Sequence, residues 1–159
     1  TGGSALDAVA AIASDQDAQD TSPNLLDLLD ALIGHSLVRR VEREDRPERF
    51  EMLETIREFG LEQLAIHDEV ADIAQRHATY FLTFIEQQKF DQIIADEAVR
   101  LARVDEDYDN VRTALRWCIE QHDADRSLRF CAALRQYWAV RGYLSEGQRS
   151  VDAALTIND

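Results

Sequence analysis

From Leu53 onward the apolar side chains recur at intervals of three and four, and this spacing limits the fold more than any other feature of the chain. At 3.6 residues per turn it lines each segment's apolar residues along one helical face, and such a face has to be covered. Only two Pro and six Gly occur among 159 residues, which excludes a turn-rich sandwich. The spacing predicts six helices. Their faces are Leu53–Leu64, Val70–Ile85, Phe90–Val104, Tyr108–Ile119, Leu128–Trp138 and Leu144–Leu155, with a junction at Asp105-Glu106-Asp107 and a cap near Asp107. The short links His122–Asp125 and Arg141–Gly142 require the last three helices to pack antiparallel to their neighbours.

Before Leu53 the pattern differs. Ala5–Ala13 reads as a short helix and Ser14–Ser22 as a polar loop. Ser22-Pro23-Asn24 then starts a second helix, with Ser22 as N-cap and Pro23 at the first helical position, and Gly34 ends it. Leu37-Val38 and Val41 begin a strand, Glu44–Pro47 is a charged turn, and Phe50 and Met52 alternate on the return. A two-stranded ribbon alone is marginal in water, so it needs a helix beneath it. Helix, strand, turn and strand in that order are how a winged-helix domain finishes.

Residues 128–159 fit a tetratricopeptide pattern. Leu134 and Trp138 occupy the apolar and aromatic positions of its first helix, Gly142-Tyr143 the turn, and Gly147 the small position where two helices cross. Close crossing needs a very small side chain on one helix and a large one from the partner to cover it. The expected architecture is therefore mainly α: a partial winged helix with a two-stranded β-hairpin over 1–65, then an antiparallel, tetratricopeptide-like helical array over 66–159.

The chemistry is sparse. The chain has 17 basic and 31 acidic side chains, a formal charge of -14. Residues 1–34 hold six Asp and no basic side chain, which opposes contact with phosphate. The hairpin arginines Arg39, Arg40 and Arg43 are the candidate nucleic-acid patch, but seven acids among residues 35–60 offset the six Arg there. No G-x-x-x-x-G-K-[ST] loop and no H-E-x-x-H occurs, so neither a nucleotide cradle nor a metal or other cofactor is expected in this stretch, and no enzymatic activity. Cys118 and Cys131 sit on apolar faces as buried thiols and fit a reducing, cytoplasmic compartment; His77 reads as a packing residue. No apolar run is long enough for a membrane span. Arg135, Trp138, Arg141 and Tyr143 are the candidates for binding an acidic peptide.

Several phrases in order carry a resemblance: “LLDLLDALIGHSLVRR” at 25–40, “RFEMLETIREFGLEQL” at 49–64, “RHATYF” at 76–81, “DNVRTALRW” at 109–117 and “RGYLSEG” at 141–147, after Gly2-Gly3 and Ala5–Ala13. Together they resemble the large bacterial LuxR/AfsR-like transcriptional regulators with a nucleotide-binding, signal-transduction ATPase core. The resemblance implies a fragment: the end of the winged-helix subdomain and the first helices of a tetratricopeptide-like sensor. It implies an upstream nucleotide-binding domain of the same chain as one partner, a protein, peptide or small effector on the repeats as another, and ATP or ADP only in the intact protein. The winged helix of such ATPases clamps the nucleotide-binding domain and does not read DNA. Where they carry a Met-His-Asp motif whose His senses nucleotide phosphate, this chain has Met52, Leu53 and Glu54. Leucine has no hydrogen to donate to phosphate. Arg57, three residues after Glu54, is placed to pair with it. The expected role is regulatory coupling of effector sensing to that core; the alternative is a stand-alone helical scaffold that binds a peptide.

Overall fold

The computed structural model describes residues 3–13, 24–43, 46–88 and 97–157. The chain divides into two compact units, residues 1–77 and 78–159. Phe90, Ile93 and Ile94, assigned above to a helical face, fall outside the described residues, as do Ser22 and Pro23.

In the first unit, β1 (Ser4–Ala5) leads directly into α1 (Leu6–Ala13); α2 (Leu25–Gly34), β2 (Val38–Arg43), β3 (Arg46–Met52) and α3 (Glu54–Ile66) follow. The ribbon gains a third strand that the spacing did not predict. The order is β1-β3-β2, with Ser4 opposite Phe50 and Ala5 opposite Arg49. Two features hold this short strand in place. Gly3 has φ +70, and a Cβ there would come within 2.6 Å of the Phe50 carbonyl oxygen, so only glycine fits. The Arg49 side chain, buried within the unit, donates to the Gly3 carbonyl at 2.7 Å. Pro47, expected in the turn, belongs to β3. It is tolerated there because β1 reaches only Arg49 and Phe50, leaving β3 an edge at that point.

Helix α2 is capped by the Asn24 side chain, which accepts from the Leu26 N–H at 3.3 Å; the cap therefore falls two residues after the Ser22 expected for it. Gly34 is the last helical residue, but the left-handed position that closes the helix is Ser36 (φ 59). Leu29 and Val38 are buried between α2 and the sheet. By contrast α3 buries none of its residues, although Leu53, Ile56, Phe59, Leu61, Leu64 and Ile66 lie on or beside it.

Helix α4 (Val70–Gln87) runs across the division between units. The second unit continues with α5 (Glu97–Glu120), α6 (Ala124–Arg141) and α7 (Leu144–Thr156). Here one expectation is overturned: Asp105-Glu106-Asp107 is no junction but the middle of α5, which runs unbroken for 24 residues. The acids are tolerated because they have partners. Asp105 accepts from Tyr137 and Arg141, and the buried Asp107 accepts from Asn110 at 3.1 Å. Asp123 caps α6 by accepting from the Arg126 N–H at 2.9 Å. Gly142 (φ 77) ends α6, returning its N–H to the Trp138 carbonyl, and α7 starts two residues later. The crossing expected at Gly147 is present: a Cβ there would meet the Trp138 ring at 2.6 Å. The core of this unit is apolar, with Phe81, Ile85, Val104, Val111, Phe130 and Leu134 almost wholly buried.

Candidate functional site

The first unit offers two charged surfaces. On the hairpin, Arg39 stands directly opposite Glu51, and its Nε donates to the Glu51 carboxylate at 3.0 Å. Arg40 lies 3.4 Å from Glu42 and 3.7 Å from Glu48. Arg43 ends β2, opposite Arg46 in the backbone register. Arg39 and Arg40 are thus engaged by carboxylates on the ribbon itself, which removes much of their attraction for phosphate. The second surface is the outer face of α2. Asp27 and Asp30 are exposed there, flanked by the half-exposed Leu26 and Leu28, and the helix has no basic residue.

The Met52-Leu53-Glu54 corner lies at the junction of β3 and α3. Leu53 is the N-terminal cap residue of α3, makes no side-chain cap bond, and is 61% exposed. Met52 is also exposed. Glu54 accepts from Arg57 Nε at 3.0 Å, the pairing expected from their spacing, and this hydrogen bond holds the Glu54 carboxyl below its usual range.

In the second unit the four interaction candidates are divided by burial. Trp138 is 4% exposed and packs on Gly147, so it supports the surface and does not form it. Tyr143, 42% exposed, stacks on Tyr108 with centroids 5.2 Å apart and an interplanar angle of 6°. Arg141 Nε reaches Asp105 at 2.9 Å. Arg135 is exposed and forms no ion pair with a described residue.

These residues border a polar network not evident in the sequence. Trp138 Nε1 donates to the Tyr108 hydroxyl at 2.7 Å; that hydroxyl donates to Glu146 at 3.1 Å, and Arg112 Nε binds the same Glu146 oxygen at 2.8 Å. The Arg112 guanidinium also lies 5.8 Å from the centre of the Tyr108 ring. Alongside it, the Tyr137 hydroxyl donates to Asp105 at 2.8 Å. Desolvation pushes both tyrosine hydroxyls well above their usual range, so they remain protonated donors. The network ties α5, α6 and α7 together. Its one local signal was the Tyr108/Arg112 spacing of one turn; Glu146 joins only through the fold.

Cys118 and Cys131 are both buried and free, and burial pushes each thiol to about 11. Thiols so protonated are poor nucleophiles, in agreement with inert core residues. Desolvation lowers the His77 imidazole, keeping it neutral as a packing residue would be. The Ser127 hydroxyl is fully buried and has no hydrogen-bond partner among the described residues.

Comparison with known proteins places these surfaces in a wider context. Residues 2–65 match the winged helix-turn-helix domain family. The chain is 33% identical over 146 residues to proteins named as HTH-type transcriptional regulators in Mycobacterium bovis and in two strains of Mycobacterium tuberculosis. That match covers 92% of this chain but only 16% of each relative. No solved structure matches at significant similarity. No helix among the described residues is long and apolar enough to cross a membrane. The chain thus has an N-terminal winged helix-turn-helix domain and distant homology to proteins named as HTH-type transcriptional regulators.

Proposed function

We propose that this chain is a regulatory segment of a larger transcriptional regulator of the LuxR/AfsR-like kind. Its tetratricopeptide-like array receives a protein, peptide or small effector, and its winged helix passes that event to a nucleotide-binding ATPase core elsewhere in the polypeptide. The observation that carries the reading is the extent of the similarity. It covers 92% of the chain and therefore both units, in relatives about six times as long whose names assign them to transcription. The acidic outer face of α2 supports a protein-facing winged helix over a DNA-reading one, since Asp27 and Asp30 repel phosphate. By the resemblance, Met52, Leu53 and Glu54 correspond to the nucleotide-sensing motif of such regulators, and Leu53 has no hydrogen to donate to phosphate.

Coupling of this kind requires the two units to move together. Relaxation measurements on the 159-residue chain are expected to give one rotational correlation time for residues 1–77 and 78–159; independent tumbling refutes the relay. A salt-sensitive gel shift abolished by neutralising Arg39, Arg40 and Arg43 would favour DNA reading instead.

A second reading, a scaffold that binds an acidic peptide, is favoured by one feature: Arg135 is exposed without an ionic partner among the described residues, on the helix that ends beside Tyr143 and Arg141. Partners retained by residues 67–159 and indifferent to loss of 1–65 would support it.

A further inference from the structure

We infer that Arg76 is a clasp by which α4 holds α1, and through α1 the N-terminal strand β1, so that a displacement of α4 is felt in the winged-helix sheet. This deepens the relay proposed above and rests on that reading for its purpose, although the contacts that form the clasp all lie within the first unit.

The short helix α1 needs support from outside. It has eight residues, too few for a stable helix in water, and it buries only Ala8. Its last carbonyls have no partner within the helix and carry the negative end of its dipole, yet its last turn contains no basic residue. The cation comes from another helix. The guanidinium of Arg76, half-buried on α4, donates to the carbonyl of Ile12, the next-to-last residue of α1, at 3.4 Å. An arginine beside the final carbonyls of a helix stabilises it.

At its other end α1 is joined to the sheet without a loop: Ala5 ends β1 and Leu6 begins the helix. β1 is in turn fixed on β3 by the donation from Arg49 to the Gly3 carbonyl at 2.7 Å. A continuous path therefore runs from β3 through Arg49, β1 and α1 to Arg76.

Arg76 is placed to carry a movement into that path. Helix α4 is unbroken from Val70 to Gln87, and its distal half buries Phe81, Leu82, Phe84 and Ile85 in the second unit. Each turn of a helix is bonded to the next, so a rotation or shift of the distal half reaches Arg76. Arg76 has another partner, Asp72, one turn earlier on α4 itself. That pair supplies the control.

The test is amide hydrogen exchange on the 159-residue chain, read residue by residue as local opening. Arg76→Ala should speed exchange over Leu6–Ala13 about fivefold or more while Phe81–Ile85 exchange as in the parent. Asp72→Asn, which removes only the partner on α4, should leave Leu6–Ala13 unchanged. Coupling is reciprocal. Gly3→Ala drives a methyl to 2.6 Å from the Phe50 carbonyl oxygen and so dislodges β1; it should speed exchange over Ile73–His77 in turn. Parental exchange over α1 in Arg76→Ala overturns the inference. So does equal acceleration in Asp72→Asn, faster exchange throughout the chain in Arg76→Ala, or a Gly3→Ala variant that leaves Ile73–His77 as they were. The relay is decided separately: independent tumbling refutes it while these exchange results stand, and a single correlation time survives their failure.

Discussion

The indole of Trp138 donates to the Tyr108 hydroxyl over 2.7 Å, a bond between α6 and α5 buried under the stacked Tyr143. Trp138→Phe keeps most of the ring but leaves the hydroxyl with Glu146 as its remaining partner. A loss of about 1–2 kcal/mol is expected in urea unfolding. A further Tyr108→Phe change should recover part of it, because no buried hydroxyl is then left short of a donor.

The two helix-interior glycines should respond to alanine with opposite signs. Gly60→Ala meets no neighbour and gains helix propensity, so stability rises by about 0.5–1 kcal/mol. Gly147→Ala gains the same propensity but drives a methyl to 2.6 Å from the Trp138 ring. Overpacking of that kind costs about 1–3 kcal/mol, so net destabilisation is expected. Thermal melts of the two variants check this directly.

Ser127→Ala should be neutral or stabilising by up to about 1 kcal/mol. The hydroxyl it removes is fully buried without a partner among the described residues, and the methyl that remains occupies less space. A clear loss of stability in chemical denaturation would contradict the environment described for this residue.

Alkaline pH should destabilise the second unit through its buried thiols. A thiol is neutral when protonated, and burial of Cys118 and Cys131 retains the proton to about 11, above the ordinary value of 9.0. Their contribution is intact below pH 9, where even the unfolded chain keeps the proton, and is lost as pH rises toward about 11. Unfolding free energy measured across that window should fall less steeply in Cys118→Ala/Cys131→Ala. In the folded parent at pH 8, both thiols should resist alkylation.

Among the described residues, three helix ends close on left-handed residues that are not glycine: Ser36, Asp68 and His122, after α2, α3 and α5. Glycine adopts this conformation without the Cβ penalty. His122→Gly is therefore expected to raise stability by about 0.5–1 kcal/mol, read as an increase in melting temperature.

How much of this was visible in the chain depended on the range of the interactions. The α6–α7 pair was legible to within a few residues because Leu134, Trp138, Gly142 and Gly147 each state a local requirement: an apolar position, a cover, a turn and a notch. The strand Ser4–Ala5 was not, since two residues carry no periodicity and its existence depends on Arg49, 46 residues from the Gly3 carbonyl it holds. The supposed break at Asp105–Asp107 failed for a related reason. Three consecutive acids look solvated when read alone, and the partners of Asp105, Tyr137 and Arg141, come from the next helix. Of the interaction candidates, Arg135, Arg141 and Tyr143 are exposed as a contact surface requires, while Trp138 turned inward because the Gly147 notch accepts it.

Because α5 is continuous from Glu97 to Glu120, it behaves as a single stiff rod about 36 Å long. A rod of that length converts a rocking motion of about 10° at one end into a sweep of about 6 Å at the other. Two shorter helices hinged at Asp105–Asp107 would instead absorb such a motion at the joint. The unbroken helix thus gives this half of the molecule the mechanics of a lever, with the Tyr108–Glu146 and Asp105–Arg141 attachments gripping it within one turn near its middle.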